Sequence, residues 1–143
     1  STITRLQNMG TPDYLISAAC SLVLAQRLAR KTCKECREPD PDVTPKVLEE
    51  MGFTPEQASR AKAVRGKGCP KCKDTGYKGR MGIYEVLNVT KAVKEAILRK
   101  ATTPELKEIA TKEGFRQMSD MGREMILAGD LNFREFDRVL SME

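Results

Sequence analysis

The spacing of apolar residues changes period along this chain, and each change marks an expected boundary. Residues 1–10 read as a short helix closed by Gly10, and after Thr11-Pro12 a second helix is expected from Asp13 to about Ala19. Residues 21–29 then lose the helical spacing. Leu22-Val23-Leu24-Ala25 is a continuous apolar run, the pattern of a strand buried on both faces, so this segment is expected at the edge of an α/β layer. Residues 37–68 open with Pro39 and Pro41 and carry two compact helix signals. Thr44-Pro45 starts one that ends at Gly52; Thr54-Pro55-Glu56-Gln57 starts the other, with Thr54 as cap, Pro55 at the first helical position and Gln57 placed to reach back. A small helical hairpin is predicted there. Beyond Gly76 and Gly79, residues 81–89 read as a strand rich in Ile, Tyr and Val.

From Thr90 onward the period is 3.6. Val93, Ala96 and Ile97 fall on one face; Thr102-Thr103-Pro104-Glu105 caps a following helix with Leu106, Ile109 and Ala110 as its stripe, and Gly114 stops it. Met118, Met121, Met125 and Ala128 align on a third helix ending at Gly129, and Asn132 caps a fourth with Phe133, Phe136, Val139 and Leu140. Four short amphipathic helices are expected to form a small helical subdomain, its methionine stripe packing a core in preference to lining a partner groove.

Charge and cysteines add chemistry to this pattern. The net charge of +5 is uneven: residues 60–80 hold eight basic groups against Asp74 alone, giving +7. Such a stretch suits nucleic acid, nucleotide phosphates or an acidic partner surface, or else a solvated surface that offsets nearby thiolates. No aromatic stacking platform is interleaved with it, so nucleic acid is not the expected partner. Four of the five cysteines form Cys33-Lys34-Glu35-Cys36 and Cys69-Pro70-Lys71-Cys72, and there is no histidine. Two residues between thiols let both point into one site, and two such pairs close a tetrahedron around zinc with no open position. A redox pair and two disulfides are the alternatives. The absence of a βαβ setting weighs against the first, and the lack of a charged-then-apolar leader weighs against the second. Cys20, apart from these, reads as a small buried hydrophobe.

The apolar run from Tyr14 to Leu28 is too short and too interrupted to span a membrane, broken by Ser17, Ser21 and Gln26. No phosphate-loop motif, no histidine and no nucleophile motif supplies catalytic machinery. At 143 residues the chain has the length of one domain or two small lobes, and it reads as part of something longer.

Three phrases carry a family resemblance: Thr4-Arg5-Leu6-Gln7-Asn8-Met9-Gly10, then residues 25–36 from Ala25-Gln26-Arg27-Leu28 to Cys36, then residues 68–87 from Gly68-Cys69-Pro70-Lys71-Cys72 to Ile83-Tyr84-Glu85-Val86-Leu87. In order and over nearly the whole chain, they resemble the C-terminal third of the type IV pilus assembly and type II secretion ATPases.

That resemblance implies an α/β fragment: residues 1–32 as the C-terminal edge of a RecA-like ATPase core, 33–80 as a tetracysteine zinc-binding subdomain with an inserted helical hairpin, and 81–143 as a strand plus four-helix subdomain. It implies structural zinc on Cys33, Cys36, Cys69 and Cys72. ATP and magnesium belong to the parent protein, whose nucleotide motifs lie upstream, so the segment alone is expected to be inactive. Arg80, and less directly Arg27 and Gln26, are implied to stand near nucleotide or at a subunit interface. The implied setting is a cytoplasmic homo-hexamer, peripheral to the inner membrane, that drives a platform protein and powers pilin polymerisation. Alternatives are a type II secretion ATPase and a stand-alone zinc-dependent nucleic-acid-binding module. A zinc-bearing cochaperone region is a poorer match, because it requires four such cysteine repeats.

Overall fold

A computed structural model describes residues 2–140. Ser1, the expected start of the first helix, and residues 141–143, the end of the C-terminal segment, lie outside the described residues. The elements run α1 (Thr2–Asn8), α2 (Asp13–Ala19), β1 (Leu22–Thr32), β2 (Arg37–Pro39), α3 (Pro45–Glu50), α4 (Pro55–Arg60), β3 (Val64–Gly66), a 3-10 turn at Pro70–Cys72, β4 (Tyr77–Asn88), α5 (Lys91–Leu98), α6 (Thr103–Lys112), α7 (Met118–Leu127) and α8 (Phe133–Leu140). This is a small α/β arrangement with two two-stranded sheets, β1 with β4 and β2 with β3. Hydrogen bonds at the two ends of the longer pair, Val89 N to Ser21 O and Cys33 N to Gly76 O, make β1 and β4 antiparallel.

The chain packs into two compact units, each built from two stretches: Ser1–Ala25 with Tyr84–Gln117, and Gln26–Ile83 with Met118–Glu143. The four C-terminal helices, read along the chain as one group, are thereby shared out, α5 and α6 in the first unit and α7 and α8 in the second.

In the first unit Ile3, Ile16, Val89, Val93, Ala96, Ile97, Leu106 and Ala110 form the core, with Cys20 and Val23 half-buried against it. Val93 and Ile97 are fully buried, each such side chain contributing about 1.5–3 kcal/mol. The helix starts obey local rules. Thr90 accepts from Val93 N, and Thr102 and Glu105 complete a reciprocal capping box. Buried Ser17 donates to Lys94 O at 3.4 Å, holding α2 to α5.

The second unit packs the insertion against the last two helices. β2 and β3 pair antiparallel, Arg37 opposite Gly66 and Pro39 opposite Val64, and the hairpin they carry buries Leu48, Phe53 and Ala58. Thr54 and Gln57 form the predicted capping box. Gly52, at φ +96°, ends the first helix of the hairpin under the Arg123 guanidinium, which also donates to Met51 O at 3.2 Å. Gly122 lets α7 approach α8: a methyl there would stand 2.8 Å from the Phe136 ring. The buried stripe of α7 is Met118, Gly122 and Ile126, so Met121 and Met125 are only half-buried and Ala128 is exposed, a face rotated from the one read off the methionines.

β1 departs from expectation. It is not buried on both faces but alternates, with Leu22 52% and Leu24 54% exposed. The reason is the sheet itself: β1 has one hydrogen-bonded neighbour among the described residues, and its core-facing side is served by Val23 and Ala29, leaving the leucines on the other side.

Candidate metal centre

The two Cys-x-x-Cys segments meet because the strands that bracket them meet. Cys33 follows β1 and its N–H donates to Gly76 O at 2.9 Å, just before β4. Cys36 precedes β2, and its carbonyl accepts from Lys67 N at 3.0 Å, just after β3. Gly66 and Gly76 pass with their backbones in contact: a Cβ on Gly66 would fall 2.1 Å from Gly76 O. Only glycine at both positions allows this crossing. The second pair is wound into its 3-10 turn, with Cys72 N and Asp74 N donating to Cys69 O at 3.2 and 2.9 Å. Lys73 and Asp74 take positive φ of 54° and 61° to bring the chain back.

The sulfurs of Cys33, Cys36, Cys69 and Cys72 all lie within 4.8 Å of one another. Cys33 to Cys69 and Cys36 to Cys72 are 3.8 Å, and Cys69 to Cys72 is 3.7 Å. A tetrahedron with Zn–S bonds of about 2.3 Å has edges of about 3.8 Å. The cluster therefore fits a tetrathiolate zinc ion. Backbone donors are already aimed at the sulfurs: Gly68 N to Cys36 Sγ at 3.2 Å, Cys69 N and Gly76 N to Cys72 Sγ at 3.3 Å each. Such N–H donors favour thiolate over thiol. Burial and the three neighbouring thiols push Cys36 up to about 12, against the pull of the Gly68 N–H. At Cys72 the burial penalty is overcome by the Cys69 and Gly76 N–H groups and the thiols of Cys69 and Cys36, which bring it down to about 6. Of these two thiols Cys72 ionises the more readily, and a divalent ion bound here would take its ligands as thiolates. Four thiolates around one ion would complete its coordination and leave no position for a substrate.

The other expected residues are not gathered there. Arg27, half-buried on β1, donates through Nη1 to Val139 O of α8. Gln26 on β1 and Arg80 on β4 are exposed.

A second polar cluster in the same unit has no counterpart in the sequence reading. Glu135, fully buried on α8, accepts from Arg30 N at 2.7 Å, from Arg30 Nε and Nη2 at 3.1 and 2.8 Å, and from Arg138 Nε and Nη2 at 2.6 and 2.9 Å. Burial alone raises its pKa; the Arg138 and Arg30 guanidiniums and the Arg30 N–H outweigh this and hold it at about 2. Arg138 is raised in return, chiefly by its hydrogen bond to Glu135. The Arg30 guanidinium stacks on the Tyr77 ring at 4.0 Å, and the Tyr77 hydroxyl accepts from Asn132 Nδ2 at 3.0 Å. The signal was present in Asn132-Phe133-Arg134-Glu135, where Glu occupies the third helical position after an Asn cap. Asn132 does cap Glu135 N at 2.8 Å, but the carboxylate turns to β1 instead of back to the cap.

Residues 1–138 match the family model described as type II/IV secretion system protein. The chain is similar to the type IV pilus assembly ATPase PilB of Pseudomonas aeruginosa, 38% identical over 138 residues, 96% of this chain and 24% of that protein. It is equally similar to the protein of the same name from Thermus thermophilus, 38% over 134 residues, 93% of this chain and 15% of that one. The type II secretion system protein E of Pectobacterium carotovorum is 36% identical over 141 residues, covering 99% and 27%. The chain thus spans about a quarter or less of these relatives.

Proposed function

The chain belongs to the type II/IV secretion system protein family, and from that premise we propose that it is the metal-braced C-terminal part of a hexameric motor ATPase that powers pilin polymerisation. The observation that carries the reading is the cysteine cluster, four sulfurs at tetrahedral spacing inside a chain that matches the family almost end to end. Zinc bound by Cys33, Cys36, Cys69 and Cys72 supplies a crosslink between the end of β1, the start of β2, the end of β3 and the start of β4. The lobe it ties is stiff, and a stiff lobe transmits displacement instead of absorbing it.

In this reading the nucleotide chemistry lies in the part of the parent not present here, on a RecA-like core to which residues 1–32 contribute. Closure of neighbouring subunits around ATP and magnesium moves the C-terminal part as a body, and the hexamer passes that motion to an inner-membrane platform protein. Arg80 and Gln26 are exposed on the β1–β4 pair, and in this reading they contact nucleotide or a neighbouring subunit. Arg27 holds α8. No helix among the described residues is long and apolar enough to cross a membrane, and the proposed location is cytoplasmic, at the inner-membrane surface. The pilus assembly branch is preferred to type II secretion because of the helical insertion and the Met9-Gly10 phrase.

The test is Cys69→Ser with Cys72→Ser in the full-length parent. Metal content should fall to near zero, the melting temperature should drop, and ATP turnover should fall with them. Unchanged metal, melting and turnover together would sink the proposal.

A further inference from the structure

The cysteine cluster is surrounded by more positive charge than it requires. Lys34 lies between Cys33 and Cys36, Lys71 between Cys69 and Cys72, Lys73 directly after Cys72, and Lys67 two residues before Cys69. Because the four sulfurs lie within 4.8 Å of one another, these lysines start from one small region of backbone. Lys78 follows at the start of β4. All five are exposed, and none has an ion-pair partner among the described residues. Glu35 and Asp74 are the acids interspersed with them. A tetrathiolate around a divalent ion leaves a net charge of about −2, and its sulfurs already accept three backbone N–H bonds. Local neutralisation does not use up this collar.

Three kinds of polyanion meet such a surface, and the surroundings separate them. Single-stranded nucleic acid binds where aromatic rings stand among the charges. In this unit Phe53 and Phe136 are buried, Phe133 is half-buried on α8 and outside the basic stretch, and Tyr77 carries Arg30 on its ring and Asn132 on its hydroxyl. Interfacial binding to a membrane adds apolar side chains that enter the headgroup region, and none of the large exposed apolar residues falls between 60 and 80. Glu35 and Asp74 set like charges against a dense phosphate array laid over the lysines, whereas a flexible acidic segment can space its carboxylates to avoid them.

We propose that the collar of Lys34, Lys67, Lys71, Lys73 and Lys78 is a docking surface for an acidic polypeptide segment of a partner protein. Its contacts are lysine heads paired with Asp and Glu carboxylates in water, so they govern capture rate and salt dependence more than residence time. The proposal goes beyond the transmission reading and does not depend on it, because the binding is measured on this chain alone.

The probe is a fluorescent peptide of alternating Glu and Gly, followed by anisotropy against the zinc-loaded chain. Binding should weaken at least about fivefold between roughly 50 and 200 mM salt. The triple reversal Lys67→Glu, Lys71→Glu, Lys73→Glu should weaken it about tenfold or more, while the same change in net charge made in the first unit by Lys91→Glu, Arg99→Glu and Lys107→Glu should cost less than about threefold. If the reversal lowers zinc content, Lys67→Gln, Lys71→Gln, Lys73→Gln takes its place, with an expected loss of about threefold or more. Equal weakening by both sets, or salt-independent binding, overturns the proposal. So does binding to phosphatidylglycerol vesicles or to single-stranded DNA that is about tenfold tighter than to the peptide, the first assigning the collar to lipid and the second to nucleic acid.

Discussion

Glu135 is the one buried charged residue among the described residues. A carboxylate with no exposed surface is costly unless it is ionised against fixed donors, and here two guanidiniums and a strand N–H supply them. Glu135→Gln keeps the shape but removes the charge from between Arg30 and Arg138, and should destabilise the fold by about 3 kcal/mol, read by denaturant or thermal unfolding. The same group sets an acid limit. Its folded pKa of about 2 lies below the ordinary 4.5, so its stabilising effect is complete above about pH 4.5 and is lost as pH falls towards 2. The stability of the Gln variant should therefore fall less steeply over that window. The cysteines were legible because a Cys-x-x-Cys spacing is itself a ligand geometry. Glu135 was not, since its partner Arg30 lies 105 positions away and the local spacing Asn132-Phe133-Arg134-Glu135 signals a capped helix start, not a carboxylate turned to β1.

At the scale of elements, what was written locally came through. Thr54 with Gln57 and Thr102 with Glu105 are pairs three residues apart that satisfy each other's backbone donors without help from the rest of the molecule. Thr54→Ala should lower stability by about 1 kcal/mol, measured as a shift in melting temperature without loss of metal. β2 and β3, three residues each, escaped notice: a strand that short shows no alternation, and it exists because its partner is there. β1 shows the opposite difficulty. Its leucine-rich run looked like a fully buried strand, yet burial depends on what covers each face, and a residue pattern does not carry that information.

For the whole molecule, the metal centre should matter unevenly. Removing the ion by chelation is expected to expose backbone amides in the second unit, around β2, β3 and the 3-10 turn, while Val93, Ile97 and Leu106 keep the first unit's helices protected; hydrogen exchange read by mass spectrometry distinguishes the two. Uniform loss across both units would contradict it. The two units interleave along the chain, which is why contiguous segments read from the sequence could not display them. The interleaving also imposes an order on biosynthesis. When Gly76 has left the ribosome, every ligand of the cluster and the glycine crossing that frames it have been made, so the nascent chain is able to capture its ion. Glu135 is translated later, after all of α5, α6 and α7, and until it arrives Arg30 on the finished strand lacks the carboxylate that fixes it. Metal capture would then come early in the life of the polypeptide and electrostatic locking last, leaving a newly made molecule braced around its cysteines before α8 is fixed to β1.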